Sequence, residues 1–545
     1  MIGNVVDVVK HQIYLGEILV KEGKIEKVTY LGEENNTYSY FSPGLVDAHI
    51  HIESTMISPY EFARVAVKHG TVAAICDPHE IANVLGKRGI DYMIKNGKCS
   101  PFKFYFGAPS CVPATNFETS GAVLNSSDIE TLLQRDDIYF LAEMMNYPGV
   151  ILGDEEVTKK LALSRKYGKP IDGHAPLLSG EELKKYVAQG ITTDHECNSL
   201  REAEEKIRLG MNIQIRGGSA ASNFDKLIPL MEKYPQKLSF CSDDKHPDDL
   251  VEGHINLMVK RAISMGYNAL DVITAATLNP INHYKISVGL LQKGDAADFI
   301  VVDNLFDFNI KKTFIDGNCV AQNGRSLIPY KVFKRLPNKM ISRKFVASDF
   351  EIKTHLPYDK EIEVPIIGVI DGELITESLS QRMFSKKGKL EVCIDQDILK
   401  IAVINRYKKR PIALGFVKNF GLKKGAIASS IAHDSHNVVM IGCSDEEMAK
   451  LANQIFKNGG IGICVEGKVQ MLPLPIAGLM SNRNIKQVGR MYRRLLAIAK
   501  TSGCGLSSPF MSMSFMSLLV IPSLRLSDKG LFDVNSFSYK NINFE

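Results

Sequence analysis

Eight short apolar runs, spread through residues 45–241, constrain the fold of this chain more than any other feature. They fall at 45–49, 72–76, 103–106, 138–142, 170–172, 191–193, 212–215 and 237–241, with helical stretches between several of them. Strands alternating with helices predict an α/β fold whose sheet is parallel and built from βα units. Eight such units in about this length predict a TIM-like (β/α)8 barrel. A doubly wound open sheet is the competing arrangement, but no G-x-G-x-x-G follows any of the runs. Helix signals support the alternation. Asp154 is placed to cap a helix over 154–167 with Val157, Leu161 and Ala162 on one face, and Gly168 ends it. Helices over 181–188 and 202–209 stop before Gly190 and Gly210.

On either side the period shortens to that of strands and turns. Residues 1–42 and 287–337 therefore predict one small β-sandwich assembled from both flanks of the barrel at 43–286. From 338 to 545 strand patterns at 364–369 and 399–403 mix with an amphipathic helix at 446–456, stopped by Gly459-Gly460. This predicts a separate C-terminal α+β domain. A chain of 545 residues is too long for one ordinary core.

Composition excludes several classes of function. The 45% apolar and 23% charged fractions are those of a globular protein, and a net charge of +5 without a basic tract argues against nucleic acid. The apolar run at 515–521 lies between Ser514 and Pro522, far below the roughly 18 residues a membrane span needs. The first residues alternate like a strand and carry no signal-peptide core. Ten scattered cysteines without a C-x-x-C predict reduced thiols in a cytoplasmic protein. Closed symmetric homo-oligomers are common among proteins of this class, and one is expected here.

In a barrel of this type chemistry sits at the C-terminal ends of the strands. The first run ends in His49-Ile50-His51, whose side chains leave a strand on one face. The second is followed by Asp77-Pro78-His79-Glu80, the fourth by Glu143, the fifth by His174, the sixth by His195 and the eighth by Asp243-Asp244. Any one of these alone is adequately explained as a satisfied core polar group. Together, four imidazoles and two carboxylates suit a metal site, and they outnumber what a single catalytic ion takes. Two ions about 3.5–4 Å apart would use them all, with Glu143 bridging, His49 and His51 on one ion, His174 and His195 on the other, and Asp243 at a metal or the water between. Such a pair acidifies water, and Asp243 is placed to take its proton. The ligands do not say which carbon is attacked.

These residues resemble the amidohydrolase superfamily, as does Gly294-Asp295-Ala296-Ala297-Asp298-Phe299 on the return into the flanking sheet. Many of its members carry a carboxylated lysine where this chain has Glu143. That departure is similar to the adenine deaminase family, as are Cys76-Asp77-Pro78-His79-Glu80-Ile81-Ala82-Asn83, Asp172-Gly173-His174-Ala175-Pro176, Thr193-Asp194-His195-Glu196 and Ser242-Asp243-Asp244. In the second half Ile431-Ala432-His433-Asp434-Ser435-His436-Asn437 and Ile521-Pro522-Ser523-Leu524-Arg525-Leu526 are similar to the same family. The resemblance implies metal-dependent hydrolysis of adenine to hypoxanthine and ammonia in purine salvage, with two divalent ions per subunit, Mn2+ or Fe2+, or alternatively Zn2+. It also implies attack at C6 with Asp243 as proton shuttle, and a carboxylic acid near N1, for which Glu80 and Asp244 are candidates. His79 either contacts substrate or positions a loop. The His433-Asp434-x-His436 stretch is expected to be a structural polar turn. Two alternatives stay open: a cyclic amidohydrolase of the hydantoinase or dihydroorotase kind, and a non-catalytic purine-binding paralogue.

Overall fold

A computed structural model describes residues 1–219, 221–354 and 360–540. Its contacts divide the chain into two compact units. The first comprises Met1–His79, Ile90–Cys111 and Leu124–Val332, and the second Glu80–Gly89, Val112–Val123 and Phe333–Glu545.

In the first unit both flanks contribute to one sheet. Four strands between Ile2–Asp7 and Tyr40–Pro43 join four between Phe299–Val302 and Arg325–Ser326 in a continuous eight-stranded sheet. The junction is Tyr40–Pro43, parallel to Ile2–Asp7 on one side and antiparallel to Phe299–Val302 on the other. Because that strand is hydrogen-bonded along both edges, the two flanks are joined in one continuous ladder. Val5, Ile18, Ile25, Phe41, Leu291, Ala297 and Phe299 form a core against it.

Between the flanks run eight parallel strands of the TIM-barrel type: β1 (Leu45–Ile50), β2 (Thr71–Cys76), β3 (Lys103–Phe106), β4 (Leu141–Met144), β5 (Ile171–Gly173), β6 (Thr193–Asp194), β7 (Asn212–Arg216) and β8 (Leu238–Cys241). The paired sets are β1-β2-β3, β4-β5 and β6-β7-β8. Between the sets, Ala142 N–H donates to the Ala108 carbonyl at 2.9 Å and Thr192 N–H to Ile171 at 3.0 Å. Asp243 N–H donates to His49 at 2.9 Å, returning from β8 to β1. Two strands sit later than their apolar runs suggested. At 138–142 the leading residues Ile138 and Phe140 are buried as packing before pairing starts, and at 191–193 only Thr193 belongs to the strand. The helix capped by Asp154, Glu155–Lys166, has Asp154 Oδ1 accepting from Val157 N–H at 2.9 Å.

In the second unit eight further strands, from Glu361–Val369 to Lys468–Pro473, form another sheet. The helix Asp445–Asn458 packs Met448, Leu451, Ala452 and Ile455 over it, in one cluster with Ala428, Val438 and Met440. Among the described residues no helix is long and apolar enough to cross a membrane, and all ten cysteines are free.

Candidate metal centre

Strand register aims the polar residues. His49 closes β1 and His51 follows one residue beyond it, so the period of two turns both rings to one side. Beneath them Asp47 is fully buried. It accepts from His254 Nε2 at 2.8 Å, from Ser242 N–H at 2.9 Å and from the Ser242 hydroxyl, which ties β1 to the end of β8. Strands β5 and β6 approach closely at Gly173, where a Cβ would meet the Thr193 carbonyl oxygen at 2.3 Å. Their ends are locked by Lys206, fully buried on the helix Leu200–Arg208. Its ammonium donates to Asp194 Oδ2 at 2.8 Å, Glu202 Oε1 at 2.9 Å and the Ala175 carbonyl at 2.7 Å. That cluster sits directly beside His174 and His195 in the chain.

The six expected ligands meet. His49 Nε2 and His51 Nε2 are 3.1 Å apart. His51 Nε2 lies 3.4 Å from Glu143 Oε1 and 3.3 Å from Asp243 Oδ1. The other Glu143 oxygen, Oε2, is 2.8 Å from His174 Nδ1 and 3.2 Å from His195 Nε2. Glu143 thus stands between two pairs of imidazoles, one oxygen toward each. All six are buried except His174, whose side chain is 25% exposed and opens the cluster to one side.

The donor set fits cations. His51 Nδ1 is 3.2 Å from the Asp77 carbonyl oxygen, which only accepts, so the ring proton belongs on Nδ1. Nε2, which faces two carboxylate oxygens, is then the nitrogen whose proton a metal ion would replace. His49 Nδ1 and His195 Nδ1 have no partner among the described residues. Burial pushes the Glu143 carboxyl up, yet His174, His195 and His51 together hold it well below the usual carboxylate range. Burial acts the same way on Asp243, and Arg216, His51 and His195 outweigh it. The His195 imidazole, which burial alone would lower, is drawn up to about 9 by Glu143 and Asp243. Carboxylates that pull protons onto buried imidazoles are equally served by divalent cations, whose binding displaces those protons.

Of the three further candidates, His79 joins the cluster, with Nδ1 3.1 Å from Asp77 Oδ2 and 3.5 Å from Glu143 Oε1. Asp244 accepts from the Ser54 hydroxyl in the same unit. Glu80 is bound within the second unit, where Oε1 lies 2.7 Å from His433 Nδ1 and Oε2 contacts His436 Nε2. His436 Nδ1 accepts from Ala432 N–H at 3.2 Å, so its proton sits on Nε2, facing Glu80. That tautomer makes the His433-to-His436 stretch a clamp on the Glu80 carboxylate. Three residues went unnoticed as site residues. Asp77 pairs with His79. Glu196 places Oε1 3.6 Å from His195 Nε2. Arg216 donates through Nη1 to Asp243 Oδ2 at 2.5 Å and also to Glu196. Arg216 ends β7, so inspecting the end of that strand as the others were inspected would have found it.

Residues 40–320 match the amidohydrolase family, and residues 373–538 match the adenine deaminase C-terminal domain. An adenine deaminase of Methanosarcina mazei is 48% identical, covering 99% of this chain and 98% of its own. One of Sulfurovum sp. is 49% identical with the same coverage, and one of Borreliella burgdorferi is 46% identical over 98% of each chain.

Proposed function

This chain belongs to the adenine deaminase family of amidohydrolases, and from that premise we propose that it hydrolyses adenine to hypoxanthine and ammonia. The observation that carries the chemistry is Glu143 standing between two imidazole pairs, with Asp243 Oδ1 beside one of them.

His49, His51, Glu143, His174, His195 and Asp243 would hold two divalent ions, with Mn2+ or Fe2+ our assignment for this nitrogen and oxygen ligand set. When bound, the ions supply Lewis acidity and a water acidic enough to lose a proton near neutral pH. The strands that carry the six form, on our proposal, a closed barrel of eight βα units with the site at its C-terminal mouth. Asp243 Oδ1 accepts a proton from the attacking water as a C6–O bond forms. It then delivers that proton to the exocyclic nitrogen as the C6–N bond breaks, releasing ammonia. His79, paired with Asp77, borders the cluster as a substrate contact. For the acid facing N1 we favour Asp244, which lies in the same unit as the cluster.

The test is the purified protein with Mn2+ or Fe2+ and adenine, following ammonia and hypoxanthine together. Equimolar release supports the proposal, and no release with bound metal overturns it. Ring-opening of hydantoin or dihydroorotate in its place would return the cyclic amidohydrolase alternative. Asp243→Asn should retain its metal and lose turnover at least about 100-fold. A near-normal rate excludes Asp243 as the proton carrier.

A further inference from the structure

Arg216 is 7% exposed and lies between two carboxylates, a burial that an arginine tolerates only when its donors are satisfied. Nη1 donates to Asp243 Oδ2 and to Glu196, Nη2 reaches Glu196 Oε2 at 3.5 Å, and Nε donates to the Ala221 carbonyl at 2.9 Å. The backbone N–H of Arg216 donates to Asn223 Oδ1 at 2.7 Å, so the residue is tethered at both ends. Asn223 Nδ2 in turn donates to the carbonyls of His195 and Cys197, each at 3.0 Å, which connects the tether to the His195 loop.

Each carboxylate held by Arg216 has an alternative. Asp243 adopts a left-handed backbone, φ +50°, with its N–H on the His49 carbonyl, so its Cβ direction is set. What remain free are the two side-chain torsions, and Arg216 takes Oδ2 while Oδ1 faces His51 at 3.3 Å. Glu196 Oε1 is 3.6 Å from His195 Nε2 and 3.9 Å from His174 Nδ1, near enough to enter the ligand cluster as a seventh donor. With His174 and His195 it already forms a group whose ligand atoms lie within 4.8 Å of one another.

Resting on the deaminase reading above, we propose that Arg216 is a positioning residue with two tasks. It presents Asp243 Oδ1 to the reaction by occupying Oδ2, and it holds Glu196 out of the ligand shell of the ion on His174 and His195. A guanidinium suits this because its rigid fork reaches two carboxylates from one buried point, which an ammonium does less well.

The experiment compares wild type, Arg216→Gln, Arg216→Lys and the double variant Arg216→Gln/Glu196→Gln, each loaded with Mn2+. Metal content, melting temperature, kcat and KM for adenine, and the Mn2+ paramagnetic resonance spectrum are measured on all four. Arg216→Gln should keep two ions per subunit and lose about 100-fold in kcat, as misplacement of a catalytic group does, while KM changes less than threefold. Its spectrum should change through the extra carboxylate ligand. Removing Glu196 as well should return the spectrum toward wild type and recover part of kcat, and Arg216→Lys should fall between wild type and Arg216→Gln. A folded Arg216→Gln protein with wild-type kcat and spectrum overturns the inference, as does a double variant no different from the single one. Should Arg216→Gln not fold, Arg216→Lys carries the same comparison, and wild-type kcat and spectrum in it overturn the inference. Inactive wild type overturns the deaminase reading instead, and the spectra still decide whether Arg216 restrains Glu196.

Discussion

At the scale of single residues, Glu143 bears the most. Its two oxygens are shared between the His51 and His174/His195 sides, so in the proposed two-ion site neutralising it would weaken a ligand of both ions at once. Glu143→Gln should bind metal at least about 100-fold more weakly, since the loss of an outer-shell partner alone costs about 10–100-fold. Elemental analysis that finds both ions fully retained after dialysis would refute the bridging role. His283 supports a prediction about pH. It is held by Asn212 Nδ2 at 2.9 Å and Thr192 Oγ1 at 3.3 Å, and burial with nearby Lys237 pushes its imidazole down to about 4. Its folded-state value is below the ordinary 6.5, so the neutral ring's contribution is complete above about pH 6.5 and is lost as pH falls toward 4. The melting temperature should drop through that window, and His283→Asn should shallow the drop by up to the slope of one proton, about 1.4 kcal/mol per pH unit. His69, lowered to about 3 by burial and Lys68, acts in the same direction and will remain in the variant. An unchanged profile would place the pH dependence elsewhere. Which residue types would cluster was legible in the chain. That Arg216 would sit between Glu196 and Asp243 was not, because those partners come from the ends of other strands.

At the scale of elements, β5 and β6 with the helix Leu200–Arg208 act as a clamp for His174 and His195. The Lys206 ammonium is fully buried among Asp194, Glu202 and the Ala175 carbonyl. Lys206→Met leaves two carboxylates without their cation, which costs about 3–5 kcal/mol. The variant should melt well below wild type and lose the ion on His174 and His195 before the one on His49 and His51. Equal loss of both ions would show that the clamp does not act locally. The helix itself was visible from its spacing and from Gly210. That its lysine turns inward was not, since an isolated amphipathic pattern assigns lysine to solvent. The strand at 191–193 was misplaced for a related reason. Ile191 is apolar and buried, yet it packs ahead of the paired residues Thr193 and Asp194.

At the scale of the whole molecule, the ligands come from strand ends dispersed between His49 and Asp243, so only the folded first unit assembles them. Ions bound there, as proposed, would each stabilise the native state by mass action, about 2.7 kcal/mol when free metal is a hundredfold above its dissociation constant. Chelation should therefore lower the melting temperature by about 2–5 °C and abolish turnover, and added Mn2+ should restore both. A melting temperature indifferent to chelation would mean that the cluster holds no ion. What this chain's sequence determined by itself was the alternation of strand and helix, the polar residues at the ends of six of the eight strands, and the likeness to one family. Those follow from local chemistry, where periodicity and caps act over a few residues. Only the tertiary structure decided which nitrogen of His51 faces the carboxylates, that Arg216 divides the oxygens of Asp243 with Glu196, and that Glu80 belongs to His433 and His436. Side-chain orientation and hydrogen-bond partners across tens to hundreds of residues are settled by packing, and one-dimensional order carries no record of them.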